Sequence, residues 1–214
     1  MSMRHVTMKY PNVVVRVQRF LEKGVCLSAE HADGRVNSLA NEAEIIALIE
    51  KRFRTRASRV RAWCDTQLYD RASRQWIPFN IKVSTGGQDN AMNRKAIVYT
   101  FTTLAEDAIP ARMNDNAMVD LIKTHGRTAR NPAREYYYLY VDKRDGRVLA
   151  RSMCDIQNYR DNASNLLQIN WGAEKRASVK FKGLTAARRL IIRTIQTSLK
   201  KARAGSQRLV EYGV

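Results

Sequence analysis

Cysteine is scarce in this chain. Cys26, Cys64 and Cys154 are spread along 214 residues and fit no zinc spacing. An odd count with no pairing logic excludes a disulfide framework and points to a reducing compartment. Histidine is as thin, and His5, His31 and His125 do not cluster. No apolar run approaches the length of a membrane span, and the N-terminus carries no signal-peptide hydrophobic region. The expectation is therefore a soluble, intracellular chain with no membrane partner. Internal repeats and low-complexity tracts are absent. Acid is also short: 20 Asp plus Glu face 38 Lys plus Arg, for a formal net charge of +18.

That imbalance favours a polyanionic partner, because clustered cations raise on-rates for nucleic acid and supply a salt-sensitive, sequence-blind affinity. A ribosomal or chromatin protein that uses charge alone would share the composition. Yet 44% of the residues are hydrophobic, enough for a packed core rather than a disordered basic tail. Length fits a single domain over 1–214, or one domain with a small appendage.

The most informative stretch is Asp65 to Lys82, DTQLYDRASRQWIPFNIK. Ile77, Phe79, Ile81 and Val83 alternate with polar partners, so the period is two and the segment reads as a strand. Asn80, Lys82 and Ser84 then share the opposite face. A short β-β connection would bring Asp65 beside Asn80 and Lys82. An Asp, a neutral oxygen ligand and a Lys at a sheet edge can bind Mg²⁺ and activate water against a phosphodiester.

Upstream, NEAEIIALIEKRF reads as a helix with Asn41 as N-cap, Glu44 completing a capping box, and an apolar stripe of Ile45, Ile46, Ile49 and Phe53. Glu42 shares the inward face with Ile45 and Ile46, where a carboxylate needs a partner or a metal. A solvent-facing first-turn Glu favoured by the helix dipole is the alternative. Arg52, Arg54, Arg56, Arg59 and Arg61 follow without an acid, either as a solvated face or as phosphate contacts. After Lys82 the polar loop STGGQDNAMNRK, with Gln88 and Asn90, adjoins the proposed site, and such loops commonly reach ligand.

Further on, Asn114–His125 reads as a helix with Met118, Leu121 and Ile122 inward and Gly126 at its end. Arg127, Arg130 and Arg134 flank Pro132. Tyr136–Val141 and Arg147–Ser152 read as strands joined at Asp145-Gly146. Tyr136, Tyr137 and Tyr138 are available for base stacking, but alternating burial explains them better. In the segment ending SVKFKG, Lys180 and Lys182 fall on one strand face and Val179 and Phe181 on the other. Residues 184–204 form a helix with Thr185 near its cap and Leu190, Ile191, Ile195 and Leu199 inward.

Two of these segments resemble a known family. IPFNIKVS resembles the active-site strand of type II restriction endonucleases of the PD-(D/E)xK superfamily, in the variant form that places Asn-x-Lys after the aspartate. INWGAEKRASVKFKG resembles the end of such an enzyme, where an Asn-Trp pair leads to Phe-Lys-Gly. The resemblance spans roughly Glu42 to Gly183 and leaves 184–214 as a C-terminal helical extension. It implies an α/β, restriction-endonuclease-like fold with a central mixed β-sheet flanked by helices. Asp65 would bind Mg²⁺, Asn80 would be the second ligand, Lys82 the catalytic lysine, and Glu42 a further acidic ligand. The region from Trp171 to Lys182 would read bases, with Gly172, Ala173, Glu174, Lys175, Lys180 and Lys182 nearest the DNA. The implied activity is Mg²⁺-dependent, sequence-specific cleavage of double-stranded DNA to 5′-phosphate ends, by a monomer or homodimer in a bacterial cytoplasm. A structure-selective repair or recombination nuclease, and a non-catalytic nucleic-acid-binding protein, are the alternatives.

Overall fold

A computed structural model describes residues 10–24, 34–57, 63–84, 87–90 and 93–211. The architecture is α/β, with a five-stranded mixed central sheet flanked by helices. The chain divides into two compact units, the first Met1–Thr85 with Arg130–Ser152, the second Gly86–Ala129 with Met153–Val214. No helix among the described residues is long and apolar enough to cross a membrane.

The first unit holds the central sheet. Its strands are β1 (Thr55–Ala57), β2 (Thr66–Asp70), β3 (Gln75–Ser84), β5 (Tyr137–Asp142) and β6 (Val148–Ser152), in that spatial order. Only β3 and β5 run parallel, with Asn80 opposite Tyr138 and Lys82 opposite Tyr140. The alternation read from the sequence is observed: Ile77, Phe79, Ile81 and Val83 are buried while Asn80, Lys82 and Ser84 are half-buried. Tyr136, Tyr137 and Tyr138 are also buried, so they are core side chains and not stacking platforms. The β5–β6 hairpin turns at Gly146, whose φ of 67° is the left-handed conformation that glycine adopts without steric penalty.

Two helices, α1 (Asn12–Glu22) and α2 (Gly34–Arg52), complete this core. The segment with Val13, Val14, Val15 and Val17, followed by Phe20 and Leu21, is compatible in sequence with strand or helix; it is the helix α1, with Val13, Val14, Val17 and Leu21 inward. Tertiary contacts decide that ambiguity: Asp70 of β2 accepts a hydrogen bond from the Val13 amide at 3.0 Å, capping a helix that has no acid in its own first turn. α2 starts at Gly34, so Asn41 is not its cap but a fully buried residue inside the helix. Asn favours helix starts through local hydrogen bonding, and burial of Ile45 and Ile49 outweighs that preference here.

The second unit contains β4 (Gln88–Asn90), α3 (Arg94–Phe101), α4 (Asp115–His125), β7 (Tyr159–Arg160), β8 (Gln168–Asn170), the short α5 (Trp171–Glu174) and α6 (Leu184–Glu211). Its three strands form an antiparallel sheet in the order β4-β8-β7. α4 is capped by the Asn114 side chain, which accepts from the Ala117 amide, and buries Met118 and Ile122 as expected, while Leu121 is only half-buried. α6 buries Ile191 and Ile195 as expected, but the stripe continues through Leu184, Ala187 and Ser198, which leaves Leu190 and Leu199 half-buried. It also continues past Gly205, although a helical glycine costs roughly 1 kcal/mol relative to alanine.

Candidate functional site

Asp65 sits immediately before β2, where its amide donates to the Phe79 carbonyl of β3 at 2.9 Å. That bond brings the start of β2 against the middle of β3 and aims the carboxylate along the strand. Asp65 Oδ2 accepts from Asn80 Nδ2 at 3.0 Å and from the Ile81 amide at 2.6 Å. With its nitrogen directed at Asp65, the Asn80 side chain has no donor at its Oδ1 among the described residues. Two residues on, on the same face and about 6.6 Å along the strand, Lys82 reaches Glu42 of α2, with Nζ to Oε1 at 3.1 Å. Glu42 is thus an inward carboxylate that meets a cation, not a solvent-facing first-turn residue. Its side chain is 17% exposed and that of Lys82 28% exposed, so both remain within reach of solvent and ligand.

The four residues singled out from sequence thereby form one patch on the first unit. Its formal charge is −1: two carboxylates, one ammonium and one neutral amide. Among the described residues no three His, Cys, Asp or Glu side chains gather into a metal cluster. The oxygen donors are Asp65, Glu42 and the Asn80 amide. That set is chemically suited to Mg²⁺, a hard cation that keeps several waters and takes only one or two carboxylates. The Ile81 amide, which anchors Asp65, is a backbone group and carries no sequence signal.

The residues expected to read DNA lie in the second unit. β4 places Gln88 opposite Asn170 and Asn90 opposite Gln168, so the expected polar loop is partly a strand next to β8. Gly172 and Ala173 follow in α5, with Ala173 donating to the Asn170 side chain at 3.1 Å, and Lys175 is its half-buried C-cap. Glu174 departs from expectation. It is fully buried and its Oε2 accepts from the amides of Gln157 and Asn158 and from Asn158 Nδ2, at 3.1, 3.1 and 2.9 Å. This carboxylate organises a loop.

The strand expected to carry Lys180 and Lys182 does not form. Residues 178–183 are irregular, and Val179 and Phe181 are exposed at 38% and 43%. Lys182 is tethered instead, its amide to Asp155 Oδ1 at 3.0 Å and its Nζ to the Ile156 carbonyl at 2.6 Å, while Lys180 stands in solvent. With the backbone amide engaged by a carboxylate, the segment has no ladder to join.

The arginines divide by role. Arg54 stacks over Tyr69 and Trp76, with its guanidinium carbon 4.5 and 5.4 Å from the ring centres, and Arg56 stacks over Trp76 at 4.7 Å. Arg59 and Arg61 lie outside the described residues. Arg130 is buried in an ion pair with Glu135, and Arg127 is buried with its NH2 donating to the Thr100 carbonyl. Arg16, Arg19, Lys23 and Arg52 surround a cavity of about 260 Å³ beside Phe20 and Phe53. Its signal, cations at positions 16, 19 and 23 on one helical face, is present in the sequence but obscured by the strand-or-helix ambiguity of that stretch. No protein-family model matches the chain, and no curated protein matches it.

Proposed function

We propose that this protein is a Mg²⁺-dependent nuclease of double-stranded DNA with a restriction-endonuclease-like fold, acting from the Asp65, Asn80, Lys82 and Glu42 patch. One observation carries the reading: Asp65 is fastened to Asn80 and Ile81 while Lys82, two residues along the same strand face, pairs with Glu42. Asp65 and the Asn80 carbonyl are the residues that would hold the ion, with Glu42 as a further carboxylate. Bound there, Mg²⁺ would supply Lewis-acid polarisation of a phosphodiester oxygen and a lowered pKa for attacking water. Lys82 orients that water and offsets charge that develops on the phosphorus oxygens. Glu42 holds the ammonium in position between turnovers. In-line attack leaves 5′-phosphate and 3′-hydroxyl ends. The +18 net charge supports the DNA partner through counterion release.

Two observations favour a second reading, in which the same site cuts by DNA shape and not by base sequence. Lys182 is occupied by Asp155 and Ile156, and Glu174 by its own loop, so two of the residues assigned to base reading have structural work. Digestion of a sequenced plasmid with Mg²⁺ or with EDTA tests both. Discrete bands indicate sequence reading; a smear or junction-only cutting indicates shape reading. Lys82→Ala should abolish cutting while leaving DNA binding within about twofold, since one ammonium is a small part of so cationic a surface. Undiminished cutting by Lys82→Ala would remove the assigned site.

A further inference from the structure

The second unit contains a cavity of about 740 Å³ between the end of α4 and the start of α6. Its lining combines Lys123, Arg127, Arg188 and Arg189 with the hydroxyls of Thr128 and Thr185 and an apolar wall of Val119, Ile122 and Ile192. No carboxylate contributes to that lining. Lys123, Arg188 and Arg189 make no ion pair among the described residues. Cations that converge on one concavity repel one another unless an anion joins them. The packing that brings them together is specific. A Cβ on Gly126 would lie 2.5 Å from the Ile122 carbonyl oxygen and 2.9 Å from an Arg188 terminal nitrogen, so glycine at this position lets the guanidinium lie close against the end of α4. The first turn of α6 carries no acid of its own and adds its partial positive charge.

We infer that this cavity binds a nucleoside phosphate, with the phosphate on Arg188, Arg189 and Lys123 and the nucleoside against Val119, Ile122 and Ile192. Volume and mixed lining support this class over a bare anion. Inorganic phosphate needs only the cationic end, whereas a cavity of this size with one apolar wall suits a drug-sized ligand. The guanidinium forks offer bidentate geometry to phosphate oxygens. A free nucleotide and the terminal nucleotide of a nucleic-acid strand share this chemistry. The inference is independent of the nuclease reading, because its ligands lie outside the Asp65 patch and its test requires no cleavage.

Calorimetric titration in EDTA, using full-length protein carrying Lys82→Ala, measures binding of AMP, inorganic phosphate, and a duplex with either 5′-phosphate or 5′-hydroxyl ends. Either AMP should bind at least tenfold more tightly than inorganic phosphate, or the 5′-phosphorylated duplex at least tenfold more tightly than the 5′-hydroxyl one. Saturation by AMP assigns a free nucleotide; a preference confined to the 5′-phosphorylated over the 5′-hydroxyl duplex assigns a strand terminus. Arg189→Ala, an exposed position that should not disturb folding, and Arg188→Ala should each weaken that binding at least tenfold. Arg193→Ala removes the same charge from the same helix outside the cavity and should change it less than twofold. Equal losses for Arg193→Ala and Arg189→Ala would reduce the effect to bulk charge and overturn the inference. So would AMP binding no more tightly than phosphate together with equal affinities for the 5′-phosphorylated and 5′-hydroxyl duplexes.

Discussion

Replacing Glu135 with Gln should be the most destabilising conservative change in the first unit. Glu135 is fully buried just ahead of β5, and Arg130 is only 3% exposed. Arg130 Nε and NH2 donate to its two carboxylate oxygens at 2.6 and 2.8 Å, and the Ser152 hydroxyl donates to Oε2. The cluster joins the entry to β5 with the end of β6, and β5 is the parallel partner of the strand that carries Asn80 and Lys82. Gln keeps the shape and one acceptor but leaves a buried guanidinium without its counterion, which costs about 3–5 kcal/mol. The Ser152 bond loses its ionic character, worth roughly 1 kcal/mol more. The reverse change, Arg130→Met, should also be destabilising, because it removes the cation that faces the buried carboxylate. The double change Arg130→Met with Glu135→Leu should fall well short of the sum of the single changes. Urea unfolding followed by circular dichroism provides the numbers. A loss under 1 kcal/mol for Glu135→Gln, or strict additivity in the double variant, would refute the account of a coupled buried ion pair.

Asn80→Asp should add a carboxylate oxygen beside Asp65 and lower the Mg²⁺ concentration for half-maximal cutting; an unchanged metal dependence, measured by plasmid digestion, would show that residue 80 does not meet the ion. Burial, then the nearby Asp142 carboxylate, pushes the Tyr140 phenol up from 10.0 to about 12. The unfolded chain thus releases this proton first as pH rises, and stability should fall between pH 10 and pH 12 by at most roughly 1.4 kcal/mol per pH unit. Tyr140→Phe should flatten that part of the alkaline unfolding profile, and an unchanged slope would assign the alkaline loss to other groups. Lys182→Ala should lower the unfolding midpoint by releasing the Ile156 carbonyl, and should leave the ratio of cognate to scrambled duplex binding in Ca²⁺ unchanged; a selective loss on the cognate duplex would restore its base-reading role.

What was legible in the sequence followed from periodicity. Four apolar residues alternating from Ile77 to Val83 define a strand, and the same alternation places Asn80 and Lys82 on one face. The approach of Asp65 followed because only a short connection separates the strands. Glu42 was legible as a carboxylate on an apolar helical face, since such a residue needs a partner, although its partner could not be named. Other features depended on contacts far apart in the chain. Asp70 capping α1, Glu135 claiming Arg130 and Asp155 claiming the Lys182 amide each withdraw a residue from the role its neighbours suggest. The pattern VKFK was too short for alternation to decide its backbone, and the Lys182 amide meets Asp155 from a distant part of the chain instead.

The weave of the two units has a consequence for the order of folding. β3 must pair with β5 in parallel, Phe79 to Tyr137 and Ser84 to Asp142, across the whole Gly86–Ala129 segment that belongs to the other unit. On the ribosome, α1, α2 and the β2–β3 hairpin emerge first, yet one edge of β3 has no partner until the chain has been synthesised beyond Asp142. Such non-local pairing pays its loop-closure entropy before any contact rewards it, so completion of the central sheet is expected to be a late step. Until then Ile77, Phe79, Ile81 and Val83 stand on an unpaired strand edge, the kind of surface that recruits other nascent chains. The Asp65 patch is assembled by β2, β3 and α2, all of them made before β5. Its ligand geometry is therefore encoded ahead of the strand that closes the sheet beside it.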